Sequence, residues 1–332
     1  ELAQNPYGNL VGSIRYACEV ESYLDLYQYT GEVGWLEKAL FRIDHIVNYS
    51  DVNGDGVPSW GNYNETYGTF LENNPDWGAE FSVTDGHNSR VILETAKIIL
   101  EDGKLRENAK YQLKAQCYIK VIKGVIEGWH ENWVQVSPTE GYYPYDRFID
   151  NKKESYSYPV VNAFAAIGTA EIFLSDLLKD KTYLEKPKMV ANFWKSNLEL
   201  GGDGAYIWNY SFFRRKGGLP PSREDISHGR TDVEFAVAAY LHNVTFDRTD
   251  MERFVNTYKK RMWRGYSAYP HLNYGVDGRE KGSKGDLSDD TRSWLYLSVV
   301  DPEIWFFQYL NFNDLILHGF GGISIFWGVT PL

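Results

Sequence analysis

Residues 223–241, REDISHGRTDVEFAVAAYL, join a cluster of charged side chains to an apolar helical pattern, and this combination decides how the rest of the chain is interpreted. Seven of the residues 223–235 are ionisable. Ser227 fits a helix N-cap, which would place His228 and Arg230 in the first turn, where side chains project beyond the helix end. The stretch therefore predicts a helix with a polar, solvent-facing site at its N-terminus. The competing interpretation is an ordinary, well-solvated helix start.

Four other segments share this plan of polar or aromatic residues followed by an apolar helix. With residue 227 included, the five helices start near residues 13, 84, 157, 227 and 291, at intervals of 71, 73, 70 and 64 residues. More charged, amphipathic segments lie between them, at 33–48, 106–129, 183–200 and 250–263. Repeated helical hairpins of this length predict an all-α fold, an α/α toroid. We expect an incomplete barrel of five to seven pairs, with the apolar helices inside and a cup at one end.

The composition is that of one globular unit. No Pro-, Gly- or Ser-rich linker interrupts the repeat, which predicts a single catalytic domain over residues 1–332. The net charge of -11 argues against nucleic acid as a partner, and no apolar run reaches the length of about eighteen residues that a membrane span needs. We expect a monomer that is secreted or periplasmic, since Glu1 would fit a chain whose signal peptide has been removed. Cys18 and Cys117 are predicted to pack as small hydrophobic residues without forming a bridge.

Aromatic residues make up 16% of the chain, and many fall in the connecting segments, for example Trp60, Tyr143 and Trp208. Rings beside carboxylates and amides suit carbohydrates, whose apolar faces stack on aromatics while their hydroxyls need hydrogen bonds. The alternative is that these rings fill the seams between helix pairs. We expect about half of them to serve as packing.

Three kinds of catalysis fit such a ligand. Hydrolysis of a glycosidic bond needs two carboxyl groups, and Asp85, Glu224, Asp225, Asp232 and Glu234 are candidates. Removal of the C5 proton of a uronic acid needs a group that neutralises the substrate carboxylate, a base and an acid. Metal-assisted chemistry ranks third because the histidines show no ligand spacing. The second kind fits best, since the helix starts supply His87, Asn88, Asn162, His228, Arg230 and Arg292, with Tyr158 and Tyr210 nearby.

Residues 158–164, YPVVNAF, and 224–230, EDISHGR, together with the helical repeat, resemble the α/α-toroid polysaccharide lyases. The resemblance is to alginate and glucuronan lyases and, more distantly, to glucuronyl C5-epimerases. It implies that Asn162 and Glu224 neutralise the carboxylate, that His228 removes or helps to remove the proton, and that Tyr210 or Tyr266 donates one. The Asn-Asn-His run of common alginate lyases does not occur in this chain.

We therefore predict a polysaccharide lyase that cleaves a uronic-acid-containing polysaccharide by C5 proton abstraction and β-elimination, without a required cofactor. The predicted catalytic residues are Asn162, His228, Glu224, Tyr210, Arg230 and Tyr266. The predicted substrate-binding residues are His87, Asn88, Tyr158, Trp208, Arg292 and Arg264. The alternatives are a glycoside hydrolase on the same scaffold, with a carboxyl pair such as Asp232 and Glu234, or a non-catalytic glycan-binding protein.

A separate motif, DVNGDG at residues 51–56, has oxygen ligands at alternate positions in Asp51, Asn53 and Asp55. The twelfth position is Asn62, where an EF-hand loop carries a bidentate Glu, so an EF-hand is disfavoured. A looser structural calcium site and a metal-free turn rich in Asn, Asp and Gly both stay open.

Basic residues flank the charged cluster on both sides. They lie at positions 214, 215, 216 and 223 before it and at 261, 264, 279, 281 and 284 after it. A basic lip of this kind would attract a polyuronate against the acidic mean charge of the chain. The alternative interpretation is a solvated loop.

Overall fold

The computed structural model describes residues 14–51, 56–60, 79–148, 158–212, 221–266, 268, 272–280 and 292–317. Within these residues the chain is mainly helical. The α-helices are α1 (Ile14–Thr30), α2 (Val33–Asn48), α3 (Ser82–Glu101), α4 (Gly103–Arg106), α5 (Ala109–His130), α6 (Val161–Leu178), α7 (Glu185–Ser196), α8 (Ile226–Leu241), α9 (Arg248–Asn256) and α10 (Glu303–Leu317). The 3-10 helices are Lys181–Leu184 and Arg292–Val299, and a π-helical turn, Thr257–Met262, continues α9.

Helices α1, α3, α6, α8 and the 3-10 helix Arg292–Val299 pack against one another in chain order and form the inner layer. Helices α2, α5, α7, α9 and α10 pack on the outside, each against the inner helix that precedes it. The described part of the chain thus contains five inner and outer pairs, and the predicted α/α toroid is confirmed. The inner helices begin within four residues of the predicted positions.

Short antiparallel strand pairs lie in the connections, where the sequence predicted only loops. The strands are β1 (Ala79–Phe81), β2 (Val134–Ser137), β3 (Glu140–Tyr142), β4 (Asp146–Phe148), β5 (Glu199–Leu200) and β6 (Tyr206–Ile207). They pair as β1 with β4, β2 with β3 and β5 with β6. Because β1 runs directly into α3, its pairing with β4 ties the connection after α5 to the N-terminal end of an inner helix.

The inner helices are buried on nearly all sides, whereas the outer helices bury one stripe. Helix α6 buries almost every residue from Val161 to Ser175, while α2 buries Leu36, Ala39, Leu40, Ile43 and Ile46 at helical spacing. Gly86 of α3 permits the close contact with α6, since a Cβ there would lie 2.4 Å from the carbonyl carbon of Ala166.

Two expectations from the sequence need correction. Helix α6 is long and apolar enough to cross a membrane by composition, which the sequence analysis did not expect, although 78% of that window is buried inside the protein. The complete packing of α6 among other helices accounts for its apolar residues. Both cysteines are free as predicted, but Cys117 on α5 is exposed, so it is not a packed hydrophobic residue.

A buried ion cluster joins three inner helices. The Arg90 guanidinium on α3 contacts the carboxylates of Glu21 on α1, Glu94 on α3 and Glu234 on α8, with 2.8 Å between its Nε and an oxygen of Glu234 and 2.9 Å between its Nη1 and an oxygen of Glu94. The Arg90 side chain is 5% exposed. A guanidinium can bind several carboxylates through its five N–H donors. The cluster therefore links the first, second and fourth inner helices of the ring.

We expect Arg90→Met to destabilise the fold by about 3–5 kcal/mol, because it leaves buried carboxylates without their cation. The matched control is Lys97→Met on the same helix. Lys97 pairs with Asp176 at 3.1 Å, with both side chains about one-third exposed, so its loss should cost less than about 1 kcal/mol. Urea unfolding followed by circular dichroism measures both free energies. Equal values for the two variants would contradict a structural role for the Arg90 cluster.

Candidate active site at the mouth of the inner helices

The N-terminal ends of α6 and α8 are connected by the segment 206–212. The Val161 N–H donates to the Tyr210 carbonyl at 3.0 Å, and the Glu224 N–H donates to the Trp208 carbonyl at 3.1 Å. These bonds hold the first turns of both helices beside one strand-like segment. The helix starts that the sequence singled out are therefore neighbours at one end of the toroid.

Asp225 organises the first turn of α8. Its Oδ1 accepts hydrogen bonds from the backbone N–H groups of Ser227 and His228, at 2.9 and 3.0 Å. Asp225 is therefore the N-cap of α8. Its Oδ2 lies 2.7 Å from Nδ1 of His228 and accepts from the Tyr274 hydroxyl at 3.2 Å. The prediction that Ser227 caps the helix is wrong, because the carboxylate two residues earlier reaches the free N–H groups first.

His228 and Asp225 form a dyad with one face open to solvent. Because a carboxylate only accepts, Nδ1 of His228 carries the proton of this bond, and Nε2 has no hydrogen-bond partner among the described residues. The His228 side chain is 44% exposed, whereas that of Asp225 is 12% exposed. This arrangement leaves Nε2 as an acid–base group that a ligand could reach.

The electrostatics of the dyad favour the charged pair. Burial disfavours the imidazolium, but the hydrogen bond and the charge of Asp225 outweigh it and raise the pKa of His228 above its ordinary value. Burial also opposes ionisation of Asp225, and its bond to His228 outweighs this effect and lowers the pKa of the carboxyl. The dyad is therefore predisposed to hold a proton on His228.

Aromatic rings lie beside the dyad. The Tyr210 ring meets the His228 ring edge to face, with 4.9 Å between centroids. Tyr210, Tyr158, Tyr145 and Phe81 are partly buried and pack against Val83, Val160 and Ala163 at the starts of α3 and α6. Tyr158 stacks on Tyr145 at 6.1 Å. The structure thus brings the predicted residues Tyr158 and Tyr210 to the same edge of the mouth as His228.

Asn162 is the second residue of α6 and is 6% exposed. No donor within the described residues reaches its Oδ1. A buried amide oxygen without a donor is costly, so an incoming hydroxyl or a water would be stabilised there. Asn162 therefore stays a predicted substrate contact, which a ligand could reach only if the buried start of α6 rearranges.

Several other predicted residues lie below the mouth. Trp208 and Glu224 are fully buried, and Asn88 is fully buried on α3. His87 is also buried, bonds Thr231 through Nε2 at 3.1 Å, and has a pKa lowered to about 3 by burial and by the nearby charge of Arg230. These side chains, like those of Arg230 and Asn162, which are each 6% exposed, could contact a substrate only after rearrangement, and the contacts assigned to them stay predictions.

The remaining predicted residues lie elsewhere or outside the described part. Tyr266 is 62% exposed, and its ring contacts are with Trp263, Phe306 and Phe307 near α10. Arg264 pairs with Glu280 at 3.4 Å. The side chain of Arg292 lies outside the described residues, although the residue begins its 3-10 helix.

The carboxyl candidates for hydrolysis are mostly engaged in structure. Asp85 is fully buried and accepts from Ser59, Trp60 and Trp129 at 2.7–2.8 Å. Glu234 belongs to the Arg90 cluster, and Asp232 is fully buried against Trp208. Of the five carboxyl candidates, Asp225 alone combines a place at the mouth with partial exposure.

The predicted basic lip is largely neutralised. Its arginines within the described residues pair with acids, as Arg223 with Glu199, Arg261 with Asp203, Arg264 with Glu280 and Arg279 with Asp277. Positions 214–216, 281 and 284 lie outside the described residues. The sequence predicted a basic lip because it does not show which carboxylates form ion pairs with these arginines in the folded chain.

Side chains that can bind a metal lie at the start of α8 and in the predicted calcium motif. Oxygen or nitrogen atoms of Glu224, Asp225 and His228 lie within 4.8 Å of one another, but both oxygens of Asp225 already accept bonds from N–H and O–H donors, so hydrogen bonding explains this cluster. In the predicted calcium motif, Asp51 accepts from the Gly56 N–H at 3.1 Å, as in a turn. Asn53 and Asp55 lie outside the described residues, and the calcium site stays a prediction.

Comparisons with solved structures extend the description of the fold. The α-1,6-mannanase GH76A of Salegentibacter sp. HEL1_6 covers 98% of this chain and 82% of its own, with a TM-score of 0.58 and 15% identity. A D-mannose isomerase matches 96% of this chain with 79% of its own chain, at a TM-score of 0.60 and 14% identity. An inactive variant of the same mannanase, bound to α-1,6-mannotriose, matches 93% of this chain with 76% of its own chain, at a TM-score of 0.53 and 14% identity. No protein-family model and no curated protein sequence matches the chain. At these identities the similarity establishes the α/α-toroid fold alone.

We expect Asp225→Asn to lower the pKa of His228, because the amide keeps the cap of α8 but removes the negative charge. Since the pKa of His228 is raised in the folded state, its pairing stabilises the protein below the ordinary His pKa and loses this effect as the pH rises through the raised pKa. An NMR titration of the His228 imidazole measures the shift. The control is Asp247→Asn, the N-cap of α9, which should leave His228 unchanged. An unchanged His228 in Asp225→Asn would rule out the dyad.

Proposed function

We propose that this protein is a carbohydrate-active enzyme in which His228, oriented by Asp225, moves a proton at the sugar. The observation that carries the proposal is the 2.7 Å bond between Asp225 Oδ2 and Nδ1 of a half-exposed His228 at the mouth of the inner helices. A histidine held in one tautomer by a carboxylate is a general acid–base group. The Tyr158 and Tyr145 rings, which pack with Tyr210 around the starts of α3 and α6, offer apolar faces for a sugar.

The reaction that this geometry supports best is removal of a proton from a sugar carbon, and in a uronate polymer this leads to β-elimination. In the neutral imidazole, whose proton lies on Nδ1, Nε2 of His228 takes the C5 proton, and the electron pair of the C5–H bond forms the C4–C5 double bond as the 4-linked sugar leaves. Tyr210, whose ring lies against His228, is the candidate donor to the leaving oxygen. Oδ1 of Asn162, which no donor among the described residues reaches, is the candidate acceptor for a sugar hydroxyl. Isomerisation of a sugar also starts with loss of a proton from carbon, which the same dyad could perform.

A second candidate is hydrolysis of a glycosidic bond, favoured by the consecutive carboxyls Glu224 and Asp225. Their environments separate them, because burial raises the pKa of Glu224 while hydrogen bonds lower that of Asp225. Separated pKa values are typical of an acid and a base in one site. The mannanase GH76A becomes inactive when two consecutive aspartates are replaced by asparagine, and this chain carries a consecutive carboxyl pair at its helix mouth. Against hydrolysis stands the complete burial of Glu224.

The test is incubation with uronate polymers and with neutral glycans that include α-mannan. Elimination yields an unsaturated uronate, which absorbs in the ultraviolet, together with new reducing ends. Hydrolysis yields reducing ends without that absorbance. If neither appears on any polymer but sugar monomers are interconverted, isomerisation is the reaction, and binding without turnover would overturn the proposal of an enzyme.

On the polymer that is turned over, we expect His228→Gln to lower kcat by about 10²-fold or more, because it removes the acid–base group. Tyr210→Phe should lower kcat about 10-fold or more if its hydroxyl donates a proton. The matched control is His242→Gln at the opposite end of α8, which should retain activity. Full activity in His228→Gln would exclude His228 from catalysis.

A further inference from the structure

Beneath the dyad lies a second pair of ionisable groups, the carboxyls of Glu224 and Asp232. Both side chains are 0% exposed. Indoles lie beside the pair, since Trp208 donates to Asp232 and a Cβ on Gly229 would lie 3.2 Å from Trp294, 3.3 Å from Cγ of Glu224 and 3.5 Å from Trp208. Two carboxylates buried in this way would repel each other strongly.

The hydrogen bonds of the pair account for two of its four oxygens. Oε1 of Glu224 accepts from the Asp225 N–H at 2.9 Å, and Oδ2 of Asp232 accepts from the Trp208 indole N–H at 2.7 Å. The other two, Oε2 of Glu224 and Oδ1 of Asp232, receive no donor from the described residues. Besides burial, the charge of Asp232 raises the pKa of Glu224, and a hydrogen bond with Glu224 acts on the pKa of Asp232, so the two carboxyl groups are neighbours. Carboxylate oxygens only accept, so a bond between the groups requires a proton.

The hydrogen-bond donors and acceptors around the pair fit one such proton. With none, two buried oxygens face each other without a donor. With two, the second O–H has no acceptor, because the outer oxygens already face N–H donors. We infer that Glu224 and Asp232 share a single proton between Oε2 and Oδ1 and hold one negative charge beneath the His228–Asp225 dyad. Burial, which raises the pKa of both carboxyls, is consistent with retention of that proton.

The shared negative charge acts on the site through His228. The inference rests on the proposed function only where it concerns the role of His228 in catalysis. Atoms of Glu224 and His228 lie within 4.8 Å of each other, so a charge on the pair stabilises the imidazolium. Besides Asp225, the N-cap of α8, the titratable or charged groups near His228 in the described elements are Arg230 on α8, Tyr210 on the segment 206–212, and Tyr274 and Arg279 on the segment 272–280. Because both carboxyls are fully buried, the pair acts through His228 and is a positioning element.

The test uses amide variants that preserve the shape of the pair. In Glu224→Gln, the new NH₂ group can donate to Asp232 Oδ1 in place of the shared proton, and in Asp232→Asn it can donate to Glu224 Oε2. Each single variant keeps one carboxylate, so the pKa of His228 measured by NMR should not change. The double variant removes the charge, and the pKa of His228 should fall by about one unit or more. Glu171→Gln, which replaces another fully buried carboxyl, is the control and should leave His228 unchanged.

The other charge states give different results. If both carboxyls are ionised, each single variant lowers the pKa of His228. If both are protonated, the double variant leaves it unchanged. Either result overturns the inference.

Two measurements keep the test independent of folding and of activity. If the double variant does not fold, the ¹³C shift of the Asp232 carboxyl in Glu224→Gln decides, because it must be that of a carboxylate at neutral pH. The proposed function fails separately, when His228→Gln remains fully active. Where turnover is observed, the pH at which activity is half lost should shift with the pKa of His228 in the double variant and stay in place in the single variants.

Discussion

The pairing of one buried cation with carboxylates from several inner helices is the interaction on which the toroid depends. Inner helices are surrounded by other helices, so a charged side chain on them has no water to solvate it. Arg90 meets this constraint by contacting Glu21, Glu94 and Glu234. The contact fixes the relative positions of α1, α3 and α8. The His228 turn at the start of α8 is therefore placed by an ion cluster two turns further along the same helix.

Asp225 then converts this placement into a site. One carboxylate caps α8, selects the tautomer of His228 and accepts from Tyr274, so the helix end and the acid–base group share the same two oxygens. A substitution that loosens the cap also loosens the histidine. A negative charge kept on the Glu224 and Asp232 pair below would strengthen the preference of His228 for its proton, without itself meeting a ligand. The polar residues at this helix start thus divide into an upper pair that faces the mouth and a lower pair that does not.

The sequence predicted the helical repeat because apolar residues at helical spacing are a local signal. It also placed Asn162, His228, Tyr158 and Tyr210 at one edge of the mouth. The sequence could not predict that Glu224 is buried while Asp225 faces the mouth. The two residues are adjacent, and their difference in burial depends on the backbone turn between them and on the nearby indoles of Trp208 and Trp294. Asp225 as N-cap was detectable, because Asp precedes the apolar helix by one residue and Asp caps as well as Ser. The pairing of Asp232 with Glu224 depends on tertiary contacts and left no local signal beyond an eight-residue spacing.

The charge at the mouth constrains the substrate. The arginines of the described lip are already paired with carboxylates, so a polyanion gains little long-range attraction there, and the chain as a whole carries a net charge of -11. A uronate would therefore depend on short-range contacts, in which protonated His228 compensates its carboxylate, whereas removal of the C5 proton needs the neutral imidazole. A neutral sugar needs no such compensation and meets the same aromatic edge formed by Tyr158 and Tyr145. Selectivity between the two classes would then follow the protonation of His228, because only the imidazolium favours the anion, and recognition of a uronate should weaken as the pH rises through the pKa of that group.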